Sequence, residues 1–578
     1  MKASDWIIDF LSSHGVDTAF GYIGGMVTYL IDSAAKDPRL RFIQTYHEQS
    51  AAFAAEGYAR LRGGVGVAIA TSGPGATNML TGVADAYFDS IPILFITGQV
   101  NSSEYKYNKP IRQQGFQETD IVSMASPVTK YAVMVDDPKR IVYEFEKAFY
   151  IATTGRPGPV LIDLPMNLQA AELFLEDCVH FTPEPESSGS VAGSAAAAIV
   201  AAINAAARPL LLVGGGCHHP ELRGHLNRLI SSGIPAVVSL MGKGSVDETE
   251  PLFTGMLGCY GNRCANLSVA RSDLLVVLGS RLDTRQTGAR LDDFAVSRRI
   301  IQVDIDIEEM RNHRLRNRET ILLDVVPLLA ELEALIPEIR VSASWKNEIV
   351  RLKRNYSTER EVERFVTSRV PYGTLAELSR LAADNTIYFA DVGQNQMWAA
   401  QTLAPRGDQD FFTSGGMAPM GYAIPAGIGA ALATGGKRPV IVITGDGGLQ
   451  IALQSLPLIS QYDLPVTVVV MNNESLGMIT QFQQIYLESN FVATTPAGGY
   501  RGPRCRELAA AFGLDYRRVE AAADVENVFV SRSRHTLIEV ITGFPSVVSP
   551  KLEFNKPFYE MSPPLPREEL ARVLEGRA

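Results

Sequence analysis

The chain has 578 residues, 46% hydrophobic and 20% charged, with a formal net charge of -10. That length builds two to four domains with large cores. The acidic balance argues against a nucleic-acid surface and leaves open an acidic small substrate held by a local Arg. The five cysteines, Cys178, Cys217, Cys259, Cys264 and Cys505, form no CxxC pair; with no secretion signal they read as reduced thiols of a cytoplasmic protein. Cys259 and Cys264 lack the second pair or spaced His of a metal site. Apolar runs are strand-sized, which argues against a membrane span.

Residues 4–13 carry helical spacing. Runs 65–70 and 92–97 read as short buried strands with a helix over 79–86 between them, and 160–164 reads as a strand closed by Pro165. Short apolar strands alternating with helices predict a parallel sheet covered on both faces. The Pro- and Ser-rich stretch 183–190 reads as a linker, and the Ala-rich run 191–208 opens a second unit as a helix. Strands are expected at 210–213, 236–240, 274–278 and 300–304, and a charged, partly helical connection over 344–369. From 386 the alternation resumes through 440–443, 466–471 and 537–541. The Pro-rich tail either folds over the body or covers the site. The scheme is α/β throughout: units at 1–170, 191–342 and 371–550, each a mainly parallel sheet flanked by helices, and a tail over 551–578. The first and third units could share a fold, but no convincing sequence repeat relates them.

Gly445-Asp446-Gly447, between apolar runs and followed by Asn472-Asn473, is the most informative feature. Asp446 and Asn473 lie 27 residues apart, at the expected ends of neighbouring strands. Carboxylate and amide oxygens are hard ligands suited to Mg²⁺ or Ca²⁺. The flanking glycines let a bulky anion approach the backbone. The pattern predicts a divalent metal clamping a diphosphate.

This GDG-to-NN element resembles the thiamine diphosphate (ThDP) motif. Other blocks extend the likeness: Tyr46-His47-Glu48-Gln49, Thr71-Ser-Gly-Pro-Gly-Ala-Thr-Asn78, Gln114-Gly-Phe-Gln-Glu118, Gly279-Ser-Arg-Leu-Asp-Thr-Arg285, Ile301-Gln-Val-Asp-Ile-Asp306, Asp391-Val-Gly-Gln-Asn-Gln-Met-Trp398 and Thr413-Ser-Gly-Gly-Met-Ala-Pro-Met-Gly421. The chain resembles the ThDP-dependent 2-oxoacid decarboxylase and carboligase superfamily, in particular the acetohydroxyacid (acetolactate) synthase catalytic subunits.

The resemblance implies three-domain ThDP-enzyme architecture, with ThDP, Mg²⁺ and FAD as cofactors. It assigns Glu48 to cofactor activation, Gln117 to the reacting groups and Arg285 to the carboxylate of the incoming 2-oxoacid. It assigns Asp446, Asn473 and the Ser475 carbonyl to Mg²⁺. Ser72, Gly73, Gln394, Asn395, Met420, Gly447, Gly448 and Met478 fall to ThDP, and Arg281 and Asp304 to FAD. Bland readings stay open: a structural turn at 71–78, core packing for Phe116 and Met420, a central domain without flavin. The resemblance also implies a homodimer or homotetramer with sites between subunits, and gives no signal on a regulatory subunit.

Some positions depart from the family pattern. Ile23 stands for a usual Pro, Met166 for Lys, Tyr260 and Asn395 for His, Thr284 for Asp and Phe482 for Trp. These leave the cofactor core intact and change the acceptor side. The expected reaction is pyruvate decarboxylation with transfer of the two-carbon unit to a second 2-oxoacid, giving 2-acetolactate. The alternatives are a carboligase that uses a keto-sugar, ketone or aldehyde as acceptor, and a non-catalytic binding or regulatory homologue.

Overall fold

The computed structural model describes residues 1–183, 191–295 and 298–576; all but the first residue of the expected 183–190 linker falls outside them. Three six-stranded sheets organise the chain. The first holds β1 (Thr18–Tyr22), β2 (Arg41–Gln44), β3 (Gly66–Ala70), β4 (Ile93–Gln99), β5 (Tyr131–Met134) and β6 (Val160–Pro165), in the order β2-β1-β3-β4-β6-β5. The second holds β7 (Pro209–Val213), β8 (Ala236–Val238), β9 (Phe253–Met256), β10 (Leu274–Leu278), β11 (Arg299–Asp304) and β12 (Glu319–Leu322), in the order β12-β11-β10-β7-β8-β9. The third holds β13 (Ile387–Ala390), β14 (Asp410–Thr413), β15 (Val440–Gly445), β16 (Val466–Asn472), β17 (Asp515–Val519) and β18 (Thr536–Ile541), in the order β14-β13-β15-β16-β18-β17.

Pairing within all three sheets is parallel. Central strands such as β3, β10 and β16 are buried along their whole length. This explains their continuous Val, Ile and Leu runs, since helices cover both faces. Counted from its own first strand, the third sheet repeats the order of the first, a kinship the sequence did not display. The second sheet has the strand order of dinucleotide-binding doubly wound folds.

The first and third sheets share one core. Their covering helices, Glu48–Arg62 and Ala423–Ala433, cross where Gly57 and Gly429 bring the backbones together. A Cβ at Gly57 would overlap the Ala426 carbonyl, and one at Gly429 the Ala54 carbonyl. Arg60 fastens the junction by donating to the Thr413 carbonyl at 2.6 Å and the Tyr422 hydroxyl at 2.9 Å.

The tail folds over the body. A short antiparallel pair, β19 (Lys551–Leu552) with β20 (Met561–Ser562), precedes the helix Arg567–Leu574. Arg263 donates to the Met561 and Pro563 carbonyls, and Arg364 pairs with Glu569 at 2.7 Å. The Leu552 amide donates to the Cys259 carbonyl at 2.6 Å, which brings the tail to the wall of the central cavity. Among the described residues, no helix is long and apolar enough to cross a membrane.

Candidate active site

The third sheet switches direction between β13 and β15, and open α/β sheets bind ligands beyond the carboxyl ends of strands at such a point. Three helices begin at that edge: Gln394–Thr402, Asp446–Ala452 and Gly477–Tyr486. Their free amides and dipoles favour an anion. The pairing of Gly445 with Met471 puts Asp446 and Asn473 just past neighbouring strand ends.

Asn473 is held by its nitrogen, which donates to Ser546 Oγ at 2.9 Å and Gln394 Oε1 at 3.2 Å. Its Oδ1 accepts the Ser475 amide at 3.0 Å and keeps a second lone pair. Gln394 is saturated, donating to Gln481 and the Ser546 carbonyl while accepting from Ser546. It therefore acts as a brace for Asn473, and its helix-start amide is what remains for a ligand. A Cβ at Gly477 would collide with both side chains.

Asp446 is 1% exposed, and burial raises its carboxyl to about 6 against the opposing hydrogen bond from Tyr500. The Tyr500 hydroxyl donates to Asp446 Oδ2 at 3.0 Å. Ser475 Oγ is buried with no hydrogen-bond partner. One carboxylate and one amide oxygen with a free lone pair fit a hard cation that draws its other ligands from a backbone carbonyl, phosphate and water. No cluster of three His, Cys, Asp or Glu offers a rival metal centre among the described residues.

Gly447 packs under Met420 and Leu476; a Cβ there would stand 2.9 Å from Met420 Cε. At Gly448 a Cβ would meet Asp391 Oδ2 at 2.8 Å, so that glycine serves internal packing. Asp391 is fully buried; it accepts from the Val392 and Gly421 amides and from Thr444, and so ties the three loops together. Asn395 turns inward, donating to the Asp391 carbonyl at 2.6 Å. Its side chain secures the strand ends. Met478 packs half-buried against the core shared by the second and third sheets. The sequence reading missed Tyr500 and Asp391 as site residues; Tyr500 lies in a loop with no motif around it.

At the first sheet, Glu48 opens a helix whose His47 cap accepts the Gln49 amide. Glu48 is 7% exposed and accepts from Asn78 Nδ2 at 3.0 Å. A Cβ at Gly75 would stand 3.2 Å from Glu48 Oε1, so glycine keeps that oxygen clear. Gly73, at φ 62°, starts the next helix beneath Gln117, itself at φ 65°. A Cβ at Gly73 would lie 3.1 Å from the Gln117 carbonyl. Ser72 Oγ is buried without a partner. Phe116 is 79% exposed, which rules out ordinary core packing within the chain. Among the described residues, no hydrogen bond or ion pair joins Glu48 to the Asp446–Asn473 pair.

The second sheet's switch point, between β7 and β10, opens a cavity of about 480 Å³, within the range of ligand pockets. Gly215, Gly216, Ser280, Arg281, Arg285 and Asp304 line it. Asp304, at the end of β11, is pushed above the usual carboxylate range by burial. His218 stacks on Phe412, and its buried Nε2 has no partner. Burial lowers the ring to about 4 and keeps it neutral. A buried carboxylate and an unpaired ring nitrogen lining one cavity fit a polar ligand of nucleotide type.

The chain matches three family models: the thiamine pyrophosphate enzyme N-terminal TPP binding domain over 1–124, its central domain over 196–332 and its C-terminal TPP binding domain over 391–540. It is 36% identical to the acetolactate synthase large subunit of Cyanidium caldarium over 536 residues, covering 90% of this chain and 89% of that protein. It is 35% identical to the acetolactate synthase isozyme 2 large subunit of Escherichia coli K12 over 535 residues, covering 91% and 92%. The probable acetolactate synthase large subunit of Methanocaldococcus jannaschii is 39% identical over 509 residues, covering 84% and 82%. The chain belongs to the thiamine pyrophosphate enzymes, in the family of the acetolactate synthase large subunits.

Proposed function

We propose that the protein decarboxylates pyruvate and joins the resulting two-carbon unit to a second 2-oxoacid, giving 2-acetolactate when that acceptor is pyruvate. The observation that carries this reading is the presence of a hard-cation clamp at Asp446 and Asn473 and a buried carboxylate, Glu48, in a chain that aligns over 90% of its length with an acetolactate synthase large subunit. Bound ThDP supplies the nucleophilic carbon and the electron sink. The chain's residues do the rest. Asp446, Asn473 and the Ser475 carbonyl hold Mg²⁺, and the three helix starts receive the diphosphate. Met420, packed over Gly447, would support ThDP from beneath, with Gly448, Gln394, Asn395 and Met478 shaping the cradle.

Glu48, kept in place by Asn78, holds a proton at the pyrimidine ring nitrogen. Gln117 orients the reacting carbonyl, and Ser72 and Gly73 present the loop beneath it. Arg285 receives the 2-oxoacid carboxylate through its planar fork of donors. The central cavity would hold FAD, with Asp304 accepting from a nucleotide hydroxyl, Arg281 meeting a charged group and His218, whose Nδ1 faces the Met241 carbonyl, supplying an acceptor at Nε2. The flavin takes no redox part in ligation.

Glu48 serves the clamp of a second copy, so the working enzyme is a homodimer or homotetramer of a cytoplasmic protein. The reading uses domains at 1–170, 191–342 and 371–550 with a tail from 551. Time-resolved NMR of the purified protein with pyruvate, ThDP, Mg²⁺ and FAD tests it. Rapid 2-acetolactate formation is expected; acetaldehyde alone, or an active monomer by mass measurement, would refute the corresponding part.

A further inference from the structure

One stripe of the helix Pro74–Asp89 carries Asn78, Asp85 and Asp89, two turns and then one turn apart. Asn78, near the helix start, holds Glu48. Asp85 is 0% exposed and forms no ion pair among the described residues; its hydrogen-bond donor is Ser414 Oγ at 2.5 Å. A buried carboxyl with so little support is costly as a packing element. Asp89, one turn on, accepts the Gly415 amide at 3.0 Å and the Gly416 amide at 2.7 Å.

The segment that receives these bonds joins β14 to the helix Ala423–Ala433 and carries Met420. It lies directly on the first-domain helix: a Cβ at Gly416 would stand 2.5 Å from Phe88 Cβ. Ser414 Oγ, while donating to Asp85, accepts the Ala418 amide at 3.1 Å. Ala418 sits at φ 56°, a left-handed conformation that an alanine keeps only where its surroundings impose it. At the far end Asp391 accepts the Gly421 amide at 2.9 Å. The amides of Gly415, Gly416 and Ala418 all end on side chains, so Asp85, Asp89 and Ser414 set the loop's shape where no backbone ladder does. Met420 lies between these two anchorages, its Cε 2.9 Å from where a Cβ on Gly447 would stand. One helix thus steadies Glu48 at its start and the Met420 loop at its end.

We infer that Asp85 and Asp89 are positioning residues for ThDP, acting through Ser414 and the loop amides to set how far Met420 reaches under the cofactor. This rests on the proposed ThDP site and extends it to two acids of the first domain that stand behind a loop of the third.

The test is calorimetric ThDP binding to the ThDP-free protein in excess Mg²⁺, with thermal melting of the same samples. Ser414→Ala removes the relay between Asp85 and Ala418, and ThDP should bind about tenfold more weakly, the worth of one such hydrogen bond. Asp89→Ala, a truncation at a half-buried position, frees two amides and should weaken binding by about tenfold or more. Asp85→Asn keeps an acceptor for Ser414 and should bind ThDP within about twofold of wild type. Met420→Ala should also bind more weakly, and in that background Ser414→Ala should cost less than about twofold, because residues that act through one another are not additive. A loss that persists at full size without Met420 would overturn the inference. So would unchanged ThDP affinity in both Ser414→Ala and Asp89→Ala, whatever their melting temperatures, since that result marks the acids as a domain fastening alone. Failure of wild type to bind ThDP would refute the cofactor reading itself, and the inference with it.

Discussion

Gly57 lies so close to Ala426 that a single added methyl would overlap the Ala426 carbonyl, and Gly429 stands in the same relation to Ala54. Both contacts are backbone to side-chain-free backbone, so no rotamer can relieve a clash. Gly57→Ala should separate the two helices and destabilise the protein by about 3 kcal/mol, at the upper end for overpacking. Thermal unfolding checks this. Gly64→Ala, where a Cβ meets nothing within 4 Å, is the matched control and should be near neutral.

Asp446→Ala should abolish Mg²⁺-dependent ThDP binding, read by calorimetry or by quenching of intrinsic fluorescence. Tyr500→Phe should leave the clamp in place but weaken Mg²⁺ binding about tenfold, because partners behind a ligand orient it. Unaltered affinity in Tyr500→Phe would make the hydroxyl a bystander.

Glu48→Gln keeps the shape and the Asn78 contact but cannot hold the proton. Turnover should fall by about 10²–10⁴-fold, the range of a positioned acid or base, while ThDP still binds. Steady-state rates beside a binding isotherm separate the two effects.

A buried acid group at the junction of the first and third sheets carries a pH dependence. Glu56 and Asp85 are fully buried, and both Glu56 oxygens and Asp85 Oδ2 have no donor. Arg60, Asp89 and Tyr422 face them, and Ser414 donates to Asp85 at 2.5 Å. Burial raises Glu56 well above the carboxylate range and Asp85 to about 8. The folded state then binds more protons than the unfolded chain between the ordinary carboxylate range and about pH 8, so stability is full below that window and declines as pH rises through it. Glu56→Gln, which mimics the protonated acid, should flatten the decline and raise the melting temperature at pH 8 relative to wild type. A melting profile with the same slope in both proteins would discard Glu56 as a source of the decline.

The sequence by itself determined the strands that run through sheet centres, because a strand buried on both faces must be continuously apolar: 274–278 coincides with β10 and 440–443 lies within β15. It also placed Asp446 and Asn473 just past two neighbouring strand ends, because each follows an apolar run of strand length. Edge strands escaped notice for the converse reason. β12 and β17 are half in solvent, so their polar residues resemble loop. Only the tertiary structure decided what depends on distant segments meeting. The shared strand order of the first and third sheets, the Gly57–Ala426 crossing and the Tyr500 hydroxyl on Asp446 have no local signature. Each is set by packing between parts of the chain tens to hundreds of residues apart. A linear reading registers residue type and spacing, and neither records which groups end without a partner.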